Sequence, residues 1–412
     1  MKSRSEGNAM KVRLRSLPKS LHRRWLQVAL LLPVVFLAGW LALGMYRAHR
    51  QQNAIEAIEK VQGSVLYDYQ LAAREEPAAE GSPPESEAEP PGPGWLRKLL
   101  GIDFFANVTV VDAEDCELTD AESRRLADLP QTTWLNLSQT EITDAGLANL
   151  ESLSHLQILD LDDTDIGDTG LKRIQGLSRL EELYLAHTEV ADAGLAHLKG
   201  LTRLDALDLG GTKITDAGLT NLQGLVKLTA LYLNDTKVTD AGLADLARLT
   251  RLEVLSLGGT AVSSAGLESL AGLNRLEELH LDNSQVADDG LRHLGKLAHL
   301  RKLYLQHTQV TDAGLQRLGR LTKLQTLRLD FTRIGDEGLK CLERLPKLAA
   351  LYLQNTQVTD AGLKYLQGMT KLRQVLLTGT KVTDEGVTAL QRALPECRIR
   401  RGSASSTDSE EM

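Results

Sequence analysis

The chain has 412 residues and a formal net charge of −8 that is shared among several segments, so charge alone singles out no partner. Its three cysteines, Cys116, Cys341 and Cys397, form no pairs by spacing and no metal motif. That excludes a disulfide framework and a zinc module, and His293 and His299 lie too far apart along the chain to add a ligand pair.

Residues 1–24 form a basic arm, with eight Lys and Arg against the single acid Glu6. Leu26 to Tyr46 is apolar apart from Gln27 and tolerates Pro33 and two glycines. Its 21 residues are enough to cross a bilayer, and Trp25 and Tyr46 stand where interfacial aromatics belong. The expectation is a single transmembrane anchor over residues 25–46. The basic excess before it predicts a cytoplasmic N-terminus, with the rest of the chain on the extracytoplasmic side. Secretion after signal cleavage is the alternative, since Ala42-Leu43-Gly44 resembles a small-x-small cleavage site. Against it, the apolar run exceeds the ~7–15 residues of an ordinary signal.

Residues 47–70 read as an N-terminal cap. Asn53 to Val61 is helical, with Ile55, Ile58 and Val61 on one face, and after Gly63 the residues Val65, Tyr67 and Tyr69 alternate as a strand. Residues 71–94 are an acidic, proline-rich linker that cannot bury enough apolar surface to fold. Residues 95–132 hold a degenerate first coil, with Val111, Cys116, Leu118, Asp120, Leu126 and Leu129 in register with the downstream coils. Cys116 reads there as a small buried residue.

A 24-residue unit then recurs eleven times within residues 133–400. One copy runs Leu183, Leu185, Thr188, Val190, Asp192, Gly194, Leu195, Leu198, Leu201, Leu204, and the next repeats it from Leu207 to Leu228. This pattern and period are the signature of a leucine-rich-repeat solenoid. Leu-x-Leu places two leucines on one face of a short strand, and the later spacing of three predicts a helix of two to three turns. The fold class is therefore α/β: a curved stack with its parallel sheet on the concave face and helices on the convex face. Strands stack at about 4.8 Å and helices need about 8–10 Å, so the array must bend. A C-terminal strand caps it near Ile399, and residues 401–412 form a polar, acidic tail.

Comparison of the copies assigns roles. Asp opens ten of the eleven helices and Ser264 the other, which reads as the helix N-cap. Gly follows two residues later in every copy, from Gly146 to Gly386, and implies close backbone packing. Thr, or Ser284 once, stands three residues after the second strand leucine, where its hydroxyl is expected to bond a neighbouring coil. No enzyme emerges: the aspartates serve as caps, and Gly210-Gly211-Thr212-Lys213 lacks the phosphate-loop pattern. No cofactor and no small-molecule substrate is implied, and nucleic acid is not expected without aromatic interleaving or a known motif.

The residue between the strand leucines points to the concave face. There Asp160, Tyr184, Asp208, Tyr232, His280, Tyr304, Arg328 and Tyr352 make a candidate surface for a protein partner, with tyrosines as anchors. The alternative is that tyrosine merely suits an exposed strand. A basic row (Arg179, Arg203, Lys227, Arg251, Arg275, Lys323, Lys347, Lys371) lies beside the helix ends. It either complements the helix termini or contacts an anionic surface polymer.

The helix start Thr143-Asp144-Ala145-Gly146-Leu147, repeated at Thr359 to Leu363, resembles the repeat subgroup related to the ribonuclease-inhibitor-like fold. With Gly63 to Tyr69 and the apolar span, the chain is similar to bacterial membrane-anchored leucine-rich-repeat proteins. That resemblance implies a binding module. Eukaryotic relatives of the motif act beside an F-box, which is absent from this sequence.

Overall fold

The computed structural model describes residues 19–75 and 89–402, without the side chains of 19–30 and 72–75. Most of the predicted basic arm, the middle of the acidic linker and the tail from residue 403 lie outside the described residues. The chain divides into two compact units, one of Met1–Glu56 with Leu66–Val108, the other of Ala57–Val65 with Thr109–Met412.

The first unit is dominated by helix α1, Lys19–Lys60, which runs without a break through the predicted anchor and into the predicted cap helix. From Leu31 to Tyr46 its large apolar side chains are exposed, Phe36 by 74% and Trp40 by 61%. A contiguous apolar surface of this size needs a non-aqueous neighbour. The stretch Leu31–Lys60 is long and apolar enough to cross a membrane, as a span or as a signal sequence. Lower down, polar contacts replace apolar ones. Gln51 Nε2 donates to Asp103 Oδ1 (2.8 Å) and to the Ala106 carbonyl (3.0 Å), and the Tyr67 hydroxyl reaches the same Asp103 oxygen at 2.9 Å. The strand expected through Tyr69 ends at Tyr67, and Tyr69 falls in a helix, Asp68–Glu75. Asp68 starts that helix by accepting from the Tyr69 amide at 2.8 Å.

The second unit is the repeat stack. In chain order the strands are β1 (Ser64–Tyr67), β2 (Val108–Asp112), β3 (Trp134–Asn136), β4 (Ile158–Asp160), β5 (Glu182–Tyr184), β6 (Ala206–Asp208) and β7 (Ala230–Tyr232). They continue as β8 (Val254–Ser256), β9 (Glu278–His280), β10 (Lys302–Tyr304), β11 (Thr326–Arg328), β12 (Ala350–Tyr352), β13 (Gln374–Leu376) and β14 (Arg398–Arg400). Strand order in the sheet is chain order. From β2 onward the parallel register advances by one 24-residue period at each step, so Leu183 pairs Leu207 and Leu207 pairs Leu231. The leucines of successive coils form continuous columns. Leu183, Leu185, Leu195, Leu198, Leu201 and Leu204 are all fully buried, as are most of their counterparts, while Met369 and Val387 in the last two coils are half-buried.

The helical side is shorter than expected. Several coils carry a single α-turn, such as Asp192–Leu195, followed by a 3₁₀ segment such as Ala196–Gly200. The longer Asp168–Ile174, Asp336–Leu342 and Asp384–Ala393 are exceptions. Twenty-four residues must close a full circuit, and a 3₁₀ segment covers more length per residue than an α-helix.

The hydroxyl expected to reach a neighbouring coil stays within its own. Thr188 Oγ1 donates to the Leu185 carbonyl at 2.7 Å and Thr212 Oγ1 to Leu209 at 2.6 Å. The turn causes this, because the preceding residue adopts a left-handed conformation in every coil, as at His187 (φ 55°), and folds the chain back. Cys116, at the equivalent upstream position, is half-buried rather than buried, and its thiol points to the Glu114 carbonyl. Burial pushes its pKa up, so it is no reactive thiolate.

The helix cap also differs from expectation. The residue before the aspartate is the N-cap: Thr143, Thr215, Thr311 and Thr359 each accept from the amide two residues on. The aspartate instead reaches across to the next coil. Asp192 Oδ1 accepts from the Thr215 amide at 2.8 Å and Oδ2 from the Thr215 hydroxyl at 2.6 Å. Asp216 does the same to Thr239, and Asp288 to Thr311. Ser264 replaces the aspartate once and accepts from the Ala287 amide at 2.9 Å. The expected close packing at the helix glycines is a consequence of this ladder. A Cβ on Gly218 would stand 2.4 Å from Asp192 Oδ1.

Candidate functional site

Period-two alternation buries the strand leucines and leaves the residue between them facing outward on the inner sheet surface. The parallel register then lines up these positions across coils. Asp160 pairs Tyr184, Tyr184 pairs Asp208 and Asp208 pairs Tyr232. Ser256 separates Tyr232 from His280, after which Tyr304, Arg328 and Tyr352 come in turn. All eight predicted residues therefore share one row, and each is half-buried.

The row has two chemically distinct halves. In the first, Asp160 and Asp208 accept only from the amides of Asp162 (3.0 Å) and Gly210 (2.8 Å). Beside them Asp162 accepts from the Ala186 amide at 2.6 Å. Among the described residues no Lys or Arg pairs with any of the three. Burial raises the pKa of Asp160 and Asp208, and burial together with neighbouring Asp160 raises that of Asp162 to about 7. Tyr184 donates to Glu182 at 2.6 Å, and burial pushes its own pKa up.

In the second half the side chains stack and pair. The His280 and Tyr304 rings lie parallel with centroids 4.0 Å apart. His280 Nε2 is 2.9 Å from Glu278, which Lys302 approaches to 2.9 Å from the next strand. The His280 hydrogen bond, with help from Lys302, holds Glu278 down at about 2. Arg328 lies over the Tyr352 ring at 4.9 Å and is 3.4 Å from the buried Asp330. At the rim the His307 and Phe331 rings stack at 4.2 Å. Phe331 is half-exposed and has φ 57°, at a turn position where other coils place Gly, Asn, Asp, Gln or His. Sequence reasoning missed this pair. The signal was there, as one bulky aromatic in a column of turn formers.

One consequence of the acidic half is a pH dependence. The folded Asp162 carboxyl keeps its proton up to about pH 7, whereas the unfolded one releases it near 3.8. The folded state therefore binds the extra proton between those values, and stability from this group falls as pH rises through that window. Asp162→Asn keeps an acceptor for the Ala186 amide and removes this slope. Its melting temperature is expected to match the parent at pH 4 and exceed it by a few degrees, about 1–2 kcal/mol, at pH 8.

Among the described residues no group of His, Cys, Asp and Glu is arranged to hold a metal ion. The arrangement offers no nucleophile–base pair either. It is a broad sheet face with aromatic, cationic and acidic groups displayed in register.

A parallel sheet wound from similar coils, each with an outward-facing variable residue, defines a repeat solenoid. The sequence comparisons give that class its family. Residues 97–286 match the profile described as "Leucine-rich repeat region", and residues 296–319 and 320–342 match "Leucine Rich repeat". These matches agree with the observed leucine-rich-repeat solenoid fold. Among solved structures, an internalin of Listeria monocytogenes is 24% identical with a TM-score of 0.54, covering 68% of this chain and 83% of that one. A leucine-rich-repeat protein of Leptospira interrogans is 19% identical, with a TM-score of 0.48 and coverage of 67% and 80%. Internalin C2 of Listeria monocytogenes is 29% identical over 52% of this chain and 84% of that one, with a TM-score of 0.41. The first of these shows a shared fold. No curated protein matches the chain.

Proposed function

We propose that this chain is a membrane-tethered binding module that holds a protein partner on the inner sheet face of its repeats. The observation that carries this reading is the ordered row of Tyr, His and Arg side chains from His280 to Tyr352, stacked at 4.0 Å and 4.9 Å. Tyr and Arg dominate the residues that contribute most to protein–protein affinity. Here they are held rigid by stacking and by Glu278 and Asp330, so little entropy is lost on binding. Helix α1 serves as the tether, with the N-terminus cytoplasmic and the repeats on the other side. Its exposed apolar side chains support the tether, and the basic excess of residues 1–24 supports the orientation.

The test is capture of the full-length, C-terminally tagged chain from washed membranes in neutral detergent. A specific protein should co-purify, and truncation of Tyr232 and Tyr304 to Ala, or charge reversal at Asp208 and Arg328, should reduce its recovery at least about tenfold. Undiminished capture by these variants counts against the face. Recovery of the chain only as a soluble, N-terminally shortened species counts against the tether.

A further inference from the structure

The net charge of −8 conceals two opposite blocks in the repeat unit. Residues 109–290 hold 32 Asp and Glu against 13 Lys and Arg, whereas residues 291–402 hold 9 against 20. The segment 112–168 is the extreme, with fifteen acids and only Arg124 and Arg125 to oppose them. The parts of the chain outside these two blocks are neutral in sum.

Each block contributes a row of exposed charges to one flank of the stack. Glu117, Glu141 and Asp165 occupy equivalent positions in three successive coils, on the turns that lead from strand to helix. Backbone bridges from Thr119 to Glu141 and from Thr143 to Asp165 set those turns side by side. All three side chains are exposed. On the opposite flank, where helix leads back to strand, Lys323, Lys347 and Lys371 form a matching row, with Lys296, Arg320 and Arg344 beside it. The earlier part of this basic row is partly neutralised, as where Arg203 pairs with Glu181. The six late cations have no carboxylate pair among the described residues.

Neither row can neutralise the other within one molecule. They are separated by about eight coils, roughly 40 Å at 4.8 Å per strand, against a screening length of about 8 Å at physiological salt. Like charges about 5 Å apart along each row repel, and an opposite row on the same spacing relieves both.

We propose that the repeat unit associates with further copies of this chain, the acidic early coils of one against the basic late coils of the next. A second copy is favoured over a generic anionic or cationic partner because it satisfies both blocks at once, on the same repeat spacing. The two rows lie on opposite flanks, so the contact is heterologous and leaves one row free on each end copy. The association is therefore open-ended. It goes beyond the inner-face reading and uses none of its residues.

The experiment is sedimentation of the full-length chain in a neutral detergent. Mass is expected to grow with concentration beyond a dimer at low salt. The association should weaken at least about tenfold between about 0.05 M and 0.5 M salt, as the screening length falls from about 14 to about 4 Å. A basic-row variant (Lys323→Glu, Lys347→Glu, Lys371→Glu) and an acidic-row variant (Glu117→Lys, Glu141→Lys, Asp165→Lys) should each be monomeric alone. Mixed, they should associate again and grow beyond a dimer, because the acidic early row of the first variant meets the basic late row of the second and the two reversed rows complement each other. Thermal melts of each variant confirm that it is folded. A wild-type chain that stays monomeric at low salt overturns the proposal, as does unchanged association of either variant. Monomeric chain that binds polyglutamate through the basic row assigns that row to an anionic partner and overturns it as well. Loss of inner-face capture leaves this result untouched, so the two readings fail separately.

Discussion

Deletion of one whole period, residues 207–230, is expected to give a shorter protein that still unfolds cooperatively, whereas deletion of residues 207–218 destroys the fold around it. After the full-period deletion Ala206 is followed by Leu231, and every position meets its own kind. Leu231 takes the place of Leu207 beside Leu183, in the register that now joins adjacent strands. Thr239 takes the place of Thr215 above Asp192, and Gly242 that of Gly218. A stack stabilised by nearest neighbours loses one coil and one interface and nothing else. Deleting half a period instead brings Lys227 to the position of Thr215 and Ala230 to that of Gly218, and sets helix residues against the strand lane. The measurement is urea unfolding of the full chain in neutral detergent, followed by circular dichroism. The whole-period variant should keep its ellipticity per residue, with a denaturant slope about a tenth smaller. The half-period variant should lose most of its repeat signal. Equal collapse of both would mean that the coils are not interchangeable.

The architecture was legible because burial and periodicity express the same geometry. A leucine that recurs every 24 residues must recur at the same height in the stack, and each one is buried. The row of eight inner-face residues was legible for the same reason, since period two and parallel register leave it no other place. What those side chains do to one another was not. The stacking of His280 on Tyr304 and the approach of Arg328 to Asp330 depend on side-chain rotamers that no spacing encodes. The cap assignment erred for a different physical reason. Asp and Thr are both good cap residues, and the more regular of the two looked like the cap. The aspartate is regular because it joins two coils, while the true cap contributes only about 1 kcal/mol and is replaced by Gly167, Ala191 and Gly335. Net charge, a single sum over the whole chain, hides two blocks of opposite sign.

The aspartate ladder sets up the second large effect. Asp192→Ala strips the Thr215 amide and hydroxyl of their acceptor, and each group left unsatisfied costs about 1–3 kcal/mol. Gly218→Ala acts from the other side, because its new Cβ would stand 2.4 Å from the same Asp192 oxygen and 3.1 Å from Leu195 Cδ1. The oxygen cannot retreat without losing the Thr215 amide, so overpacking of about 1–3 kcal/mol is expected. The two changes should not add. With Asp192 shortened to Ala, the atom that the Gly218 methyl meets is gone, and the double variant should be about 1–2 kcal/mol more stable than the sum of the singles implies. The same substitution at Gly224, where a Cβ meets nothing within 4 Å, serves as the control and should be neutral or stabilising. Melting of the four variants beside the parent decides it. Additive losses would show that the glycine is required by its own backbone, and the left-handed region cannot be the cause, since Gly218 lies within the helix Asp216–Leu219. A positive coupling would tie the helix glycine to the aspartate one coil away, and with it two of the most regular features of the repeat to a single contact between neighbouring coils.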